Sequence, residues 1–101
     1  MPPTSSQISA FLSRLHAAVR ENRVQVRGYA LEGLRDLEWT TEDLRLQLLE
    51  LTVGDLLRTE ASTAPQGGQI WVFTPELSDG GYLWIRIVER AGVVVISFHI
   101  G

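Results

Sequence analysis

The apolar residues of this chain change their spacing once, at the glycine pair Gly67-Gly68. Before this pair they recur every three or four residues, which is typical of helices with one buried face. After it they alternate along short runs, which is typical of strands. A sheet that follows helices in the chain needs those helices to cover its apolar face. The sequence therefore predicts an α+β fold, in which N-terminal helices pack on a C-terminal antiparallel sheet of three strands or slightly more.

Three helical segments are predicted before the glycine pair. The first starts in the run 4–6, and its apolar face is formed by Ile8, Phe11, Leu12, Leu15, Ala18 and Val19. A second, shorter segment follows Gly28 and ends at Trp39. A third starts at Thr40, where a hydroxyl is followed by two carboxylates in the first helical turn.

The connecting segments are less regular. Residues 24–26 predict a short extended or connecting piece between the first two helices. Thr52 and Asp55 predict one further helical turn that ends near Arg58. Residues 61–68 are rich in Ser, Thr, Pro and Gly, so they predict a loop.

Three strands are predicted after the glycine pair, over residues 69–73, 82–90 and 93–100. Their connections are short, which favours an antiparallel meander. The first of them, residues 69–73, is expected at an exposed edge of the sheet.

Alternation divides the side chains of the last two strands between two faces. On the second strand Leu83, Ile85 and Ile87 share one face, and Tyr82, Trp84, Arg86 and Val88 share the other. The apolar sides of the last two strands face the same core only if the residue numbers of each facing pair add up to an odd number. A two-residue turn at Ala91-Gly92, or a four-residue loop around it, gives such a register. With the two-residue turn, Trp84 faces His99 and Arg86 faces Ser97.

Composition narrows the class of protein. A chain of 101 residues predicts one domain over residues 1–101. The chain has no Cys, which excludes disulfides, thiol nucleophiles and Cys-based zinc sites. No run approaches the roughly 18 apolar residues of a membrane span, so a cytoplasmic protein is expected. The net charge is −3 and every basic residue is Arg, which leaves room for a small guanidinium-lined anion site but argues against a broad basic surface.

The face that carries Trp84 combines groups suited to RNA. His99 offers a titratable imidazole, Arg86 can hold a phosphate, and Ser97 adds a hydroxyl. The rings of Tyr82 and Trp84 can stack unpaired bases. Attack by the 2′-hydroxyl of the RNA needs no metal, so the sequence predicts neither a metal site nor a cofactor.

A structural interpretation of the same strands remains open. Residues 93–96 are apolar on both faces, so the last strand can be buried on both sides, with Ser97 and His99 as its polar exit. Trp84 is then a packing residue. The other histidine, His16, lies beside apolar positions of the first helix, where a helix-boundary role is expected.

Several stretches carry a resemblance to a known family: the run LTVGDLLR at 51–58, Ile70-Trp71, the aromatic and basic strand after Tyr82, and VISFH at 95–99. In this order, from Asn22 to the C terminus, the chain resembles the MqsR family of bacterial type II toxins. The resemblance implies a RelE-like fold and a ribosome-independent mRNA interferase, an endoribonuclease that cuts single-stranded mRNA and inhibits translation. It also implies metal-free catalysis and a cognate antitoxin with a helix-turn-helix DNA-binding part.

The functional positions of the family fall on Arg58, Trp84 and His99. The best-known member carries Lys, Tyr and Lys at these places, so this chain lacks the phenol and has a titratable base at the last position. The resemblance and the face together suggest His99 as proton acceptor or donor, and Arg58 with Arg86 as stabilisers of the phosphorane charge. The two aromatic residues would stack bases, and Ser97 would orient His99 or the phosphate.

The alternative function is a non-catalytic, toxin-like binding module that pairs with an antitoxin acting as a transcription regulator. The strand at 69–73 could recruit that partner by strand addition. Burial of Trp84 and His99 favours the module. A positive cleft lined by Arg58, Arg86 and His99 favours the nuclease.

Overall fold

A computed structural model of the chain describes residues 2–65 and 67–100. Over these residues the elements are α1 (Ser5–Arg20), β1 (Val24–Val26), α2 (Gly28–Leu37), α3 (Thr41–Leu49), β2 (Leu56–Ala61), β3 (Gln69–Phe73), β4 (Leu83–Arg90) and β5 (Val93–Ile100). The three helices precede the four longest strands, so the α+β prediction is confirmed. The longest helix, α1, has 16 residues, and in the described part of the chain no helix is long and apolar enough to cross a membrane.

The strands form one sheet of five, in the order β1-β5-β4-β3-β2. Strands β2 to β5 follow each other as an antiparallel meander, and β1 pairs parallel with β5. The two edges of this sheet are therefore β1 and β2. The prediction of an edge strand at residues 69–73 is wrong, because β3 pairs with β2 on one side and with β4 on the other.

Strand β2 occupies the place of a predicted helical turn and the start of a predicted loop. The turn begins as expected, with the Thr52 backbone N–H donating to Asp55 Oδ2 at 2.9 Å. It is only a single 3₁₀ turn, Val53–Asp55, and the chain then extends along β3. The prediction failed because an irregularity between Leu56 and Arg58 interrupts the alternation by which a strand is recognised.

Capping boxes start α1 at Thr4, within the predicted run 4–6, and α3 at the predicted Thr40. Thr4 Oγ1 accepts the Gln7 N–H at 3.2 Å, and the Thr4 N–H donates to Gln7 Oε1 at 2.8 Å. Thr40 and Asp43 exchange the same two bonds at 3.2 and 2.7 Å. Each box satisfies backbone donors that the first helical turn leaves without partners.

The helices cover one face of the sheet, the inner face. Its buried members are Trp71, Phe73, Leu83, Ile85, Ile87, Val94, Ile96 and Phe98. Phe11 of α1 stacks on Trp71, with ring centroids 4.3 Å apart and planes 10° from parallel. Helix α2 approaches β5 so closely that a Cβ on Gly33 would lie 2.7 Å from the Phe98 ring. The core therefore lies between this face and the helices.

The hairpin between β4 and β5 determines which residues face each other. Ala91 and Gly92 form its turn, with φ angles of 49° and 80°. Positive φ at both positions gives a turn whose twist matches that of the flanking strands. The register pairs Trp84 with His99, so the prediction for the two-residue turn is confirmed.

Candidate functional site

The six sequence-predicted site residues lie on the face of the sheet opposite the helices. On β2 to β5 this outer face consists of Arg58, Glu60, Ile70, Val72, Trp84, Arg86, Val88, Arg90, Val93, Val95, Ser97 and His99. Tyr82 comes directly before β4 and continues the same alternation. Exposed among the predicted residues are Arg58, Tyr82 and His99, and half-buried are Trp84, Arg86 and Ser97. A ligand in solution can therefore reach this surface.

A β-bulge in β2 brings Arg58 to the outer face. Leu56 pairs with Phe73 and Arg58 pairs with Val72, so Leu57 between them has no partner on β3. Strict alternation would place Arg58 on the inner face together with Leu56, whereas the extra residue shifts it by one position. One of the two predicted arginines thus depends on a local irregularity of the backbone.

A carboxylate joins the two arginines, and we call Arg58, Glu60 and Arg86 the arginine bridge. Glu60 Oε2 accepts from Arg58 Nε at 2.9 Å, and Glu60 Oε1 lies 2.8 Å from Arg86 Nη1. The hydrogen bond from Arg58, followed by the positive charge of Arg86, lowers the pKa of Glu60 below its ordinary value of 4.5. Val72 lies between the two arginines in the ladder and is fully buried. Long charged side chains can cover an apolar neighbour with their aliphatic parts, which accounts for the burial of Val72.

Trp84 lies between an imidazole and a guanidinium. Its ring centroid is 5.9 Å from that of His99, with the planes 11° from parallel. Arg58 Cζ lies 5.8 Å from the Trp84 centroid, a distance at which a cation is attracted to an aromatic ring. Because β5 and β2 lie on opposite sides of β4, the two groups approach Trp84 from opposite directions. Trp84 therefore connects His99 to Arg58, and these neighbours limit the part of its ring that a base can reach.

The other two predicted residues border this group. Ser97 lies directly across from Arg86 in the β4–β5 ladder. Tyr82 lines a shallow pocket together with Trp84. The predicted residues thus form one surface, which runs from His99 to the arginine bridge.

The middle of β5 is buried on both faces, as the structural interpretation expected. Val94, Val95 and Ile96 are all buried. Towards the end of the strand this burial decreases, since Ser97 is half-buried and His99 is exposed. The polar end of β5 is therefore accessible.

The second histidine of the chain lies outside this surface. His16 on α1 has its Nε2 3.1 Å from the carbonyl oxygen of Leu48. This contact between α1 and α3 agrees with the predicted helix-boundary role. Within residues 2–65 and 67–100, no three His, Asp or Glu side chains are placed to hold a metal ion.

Sequence reasoning missed two residues of the site, Leu57 and Glu60. Both lie on β2, where a helical turn and a loop were predicted. Leu57 is a large apolar residue with 46% of its surface exposed. Glu60 follows Arg58 by two residues, the spacing of side chains on the same face of a strand. That spacing would have revealed Glu60 once β2 was recognised as a strand.

The chain matches none of the family models and none of the curated proteins with which it was compared. The function is therefore argued from three features of the outer face: an exposed imidazole, an aromatic ring beside it, and the arginine bridge.

Proposed function

We propose that this protein is a metal-independent endoribonuclease, an mRNA interferase toxin of a type II toxin-antitoxin system, similar to the MqsR family. It acts in the bacterial cytoplasm, where it cuts single-stranded mRNA and inhibits translation. The observation that carries the proposal is the series of contacts from His99 through Trp84 to Arg58. This series sets a proton acceptor and an anion-binding group on the same accessible surface.

The 2′-hydroxyl of the RNA is the nucleophile of the proposed reaction. The O2′–P bond forms while the imidazole of His99 accepts the proton of that hydroxyl. The P–O5′ bond then breaks, and O5′ takes a proton from water. The products are a 2′,3′-cyclic phosphate and a 5′-hydroxyl end. General-base assistance of this kind contributes roughly 100- to 10,000-fold to a rate.

The arginine bridge supplies positive charge where the phosphorane becomes more negative. Arg58 bonds to Glu60 through Nε, so its Nη groups are the ones available to face a phosphate. Two guanidinium groups and one carboxylate give the bridge a charge of +1, in a chain whose net charge is −3. Ser97, across from Arg86, can hydrogen-bond the same phosphate. A small cationic site therefore supports RNA binding by an acidic protein.

Cleavage of a long single-stranded RNA in chelating buffer tests the proposal. The wild type is expected to cut. The His99→Ala variant is expected to cut at least about 100-fold more slowly, because the proton acceptor is gone. Arg86→Ala is expected to lose activity too, since it removes one cation of the bridge. Arg14→Ala is the matched control, because this exposed arginine of α1 pairs with Glu89 away from the site.

Circular dichroism must show that each variant is folded. Two results overturn the nuclease: cutting that stops in chelator, or cutting by folded His99→Ala at the wild-type rate.

The position of β2 at an edge of the sheet favours the second candidate, a non-catalytic toxin-like module. Edge strands present unpaired backbone groups, to which an antitoxin with a helix-turn-helix DNA-binding part could add a strand. In this candidate β2 takes the role that was expected of residues 69–73. A folded wild type that binds such an antitoxin and leaves RNA intact, with or without magnesium, supports the module.

A further inference from the structure

A small pocket opens on the outer face beside the arginine bridge. It has a volume of about 200 Å³ and is lined by Leu57, Thr74, Tyr82 and Trp84. Leu57 and Tyr82 are 46% and 50% exposed. Single exposed apolar side chains are ordinary, whereas a cluster of them marks a binding surface. We call this the bulge pocket.

Separate stretches of the chain build the bulge pocket, so no short motif reveals it. Leu57 is the extra residue of the β2 bulge, Thr74 directly follows β3, and Tyr82 directly precedes β4. The Thr74 backbone N–H donates to the carbonyl of Asp55 at 2.8 Å. This bond ties the end of β3 to the 3₁₀ turn that precedes the bulge. The pocket is therefore held in shape by the backbone around it.

The size and chemistry of the bulge pocket fit one nucleobase. Pockets for drug-sized ligands measure about 300–1,000 Å³, so a pocket of about 200 Å³ admits a single flat ring system. Aromatic and apolar walls bind a base by stacking. The hydroxyl of Thr74 can donate to or accept from the edge of that base.

The neighbouring cation favours a nucleotide over an uncharged apolar group. Arg58 follows Leu57 in the chain, and its Cζ is 5.8 Å from the Trp84 centroid, so a guanidinium borders the pocket. A nucleotide places a phosphate near its base, whereas an apolar protein side chain brings no charge. Because His99 and Arg58 approach the two sides of Trp84, the surfaces left for stacking are those of Leu57 and Tyr82.

We propose that the bulge pocket binds one base of the RNA and determines base preference at that position. Leu57 and Tyr82 form its walls, and the Thr74 hydroxyl hydrogen-bonds the edge of the base. The pocket presupposes the proposed function, since it would hold a base of the same RNA whose phosphate meets Arg58.

Binding measurements in a His99→Ala background, where cleavage is expected to be too slow to interfere, test the pocket. Two probes are compared: a single-stranded RNA and a ribose-phosphate oligomer of equal length without bases. Tyr82→Ala should weaken RNA binding about tenfold, the size of a lost contact between a base and an aromatic ring. Leu57→Ala should also weaken RNA binding, because an apolar wall of the pocket is lost, and both variants should bind the abasic oligomer as before. Leu46→Ala is the matched control, because Leu46 on α3 is 51% exposed and lies away from the outer face. Thr74→Val should change base preference.

The possible results distinguish a failure of the pocket proposal from a failure of the proposed nuclease function. RNA cleavage by the wild type, with equal RNA affinity in Leu57→Ala and Leu46→Ala, overturns the pocket and leaves the nuclease in place. Equal losses on both probes also overturn the pocket, because the contact is then to the backbone. If Leu57→Ala and Tyr82→Ala lose affinity for an antitoxin but keep their affinity for RNA, the pocket binds a protein, and the proposal of a base site is overturned. A wild type that neither binds nor cuts RNA overturns the proposed function itself.

Discussion

The two faces of the sheet use the same strands for different purposes. On β4, Ile85 and Ile87 point to the inner face and are fully buried beneath the helices. Trp84 and Arg86 alternate with them, and on the outer face they contact an imidazole, a guanidinium and a carboxylate. Alternation thus separates folding stability from surface chemistry within one strand. Substitutions on the inner face should therefore lower the stability of the fold, and those on the outer face should change the proposed binding and cleavage of RNA.

Substitution of two adjacent residues of β4, one on each face, should give the largest difference in the free energy of unfolding. Ile87→Ala is expected to lower the free energy of unfolding by about 2–5 kcal/mol, because it leaves a cavity in a packed core. Val88→Ala, on the outer face and half-buried, is expected to cost about 1 kcal/mol. Urea denaturation of both variants measures the difference. Equal costs for the two substitutions would contradict the separation of roles.

A change on the outer face should leave the fold intact and alter the reaction. Glu60→Gln removes the carboxylate that holds Arg58 and Arg86 together. The RNA cleavage rate kcat is expected to fall about tenfold through misplaced guanidinium groups. KM is expected to fall as well, because the site gains positive charge.

Glu89→Gln is the control for Glu60→Gln, since it changes the net charge of the chain equally but removes a partner of Arg14 outside the site. Steady-state kinetics on one RNA, measured for both variants, separates kcat from KM. A fall in kcat of the same size in both variants would mean that Glu60 does not position the arginines.

The smallest expected effect is the pH dependence of stability at Glu60. The pKa of Glu60 is lowered in the folded protein by the hydrogen bond from Arg58 and the charge of Arg86. A lowered folded pKa gives stability that is present above the ordinary value of 4.5 and is lost as the pH falls through the folded value. Wild type should therefore be more stable than Glu60→Gln at neutral pH, and the difference should shrink at acidic pH. A difference that urea denaturation finds unchanged with pH would show that the carboxylate charge is not responsible.

Local signals in the sequence predicted much of the fold. Hydroxyl residues predicted two helix starts, in the run 4–6 before α1 and at Thr40 before α3. The Ala91-Gly92 turn and the alternation around it gave the β4–β5 register, and with it the pairing of Trp84 with His99. These features depend on neighbours within a few residues, or on one short turn.

Features that depend on distant pairing were not predictable in this way. The bulge at Leu57 hides the alternation of β2, so the sequence predicts a helical turn and a loop there. Because β2 is not recognised in the sequence, β3 is expected at an edge of the sheet. For the same reason the ion pair between Glu60 and Arg86 cannot be predicted. That ion pair requires the registers of β2 with β3 and of β3 with β4 together.

The chemistry of the RNA ends tests the central claim most directly. Wild-type protein in chelator is expected to leave 2′,3′-cyclic phosphate and 5′-hydroxyl ends, and folded His99→Ala is expected to form these ends at least about 100-fold more slowly. Mass spectrometry of the fragments identifies these ends. Fragments with 3′-hydroxyl and 5′-phosphate ends, or the same fragments formed at equal rates by wild type and His99→Ala, would contradict a metal-independent nuclease on the outer face.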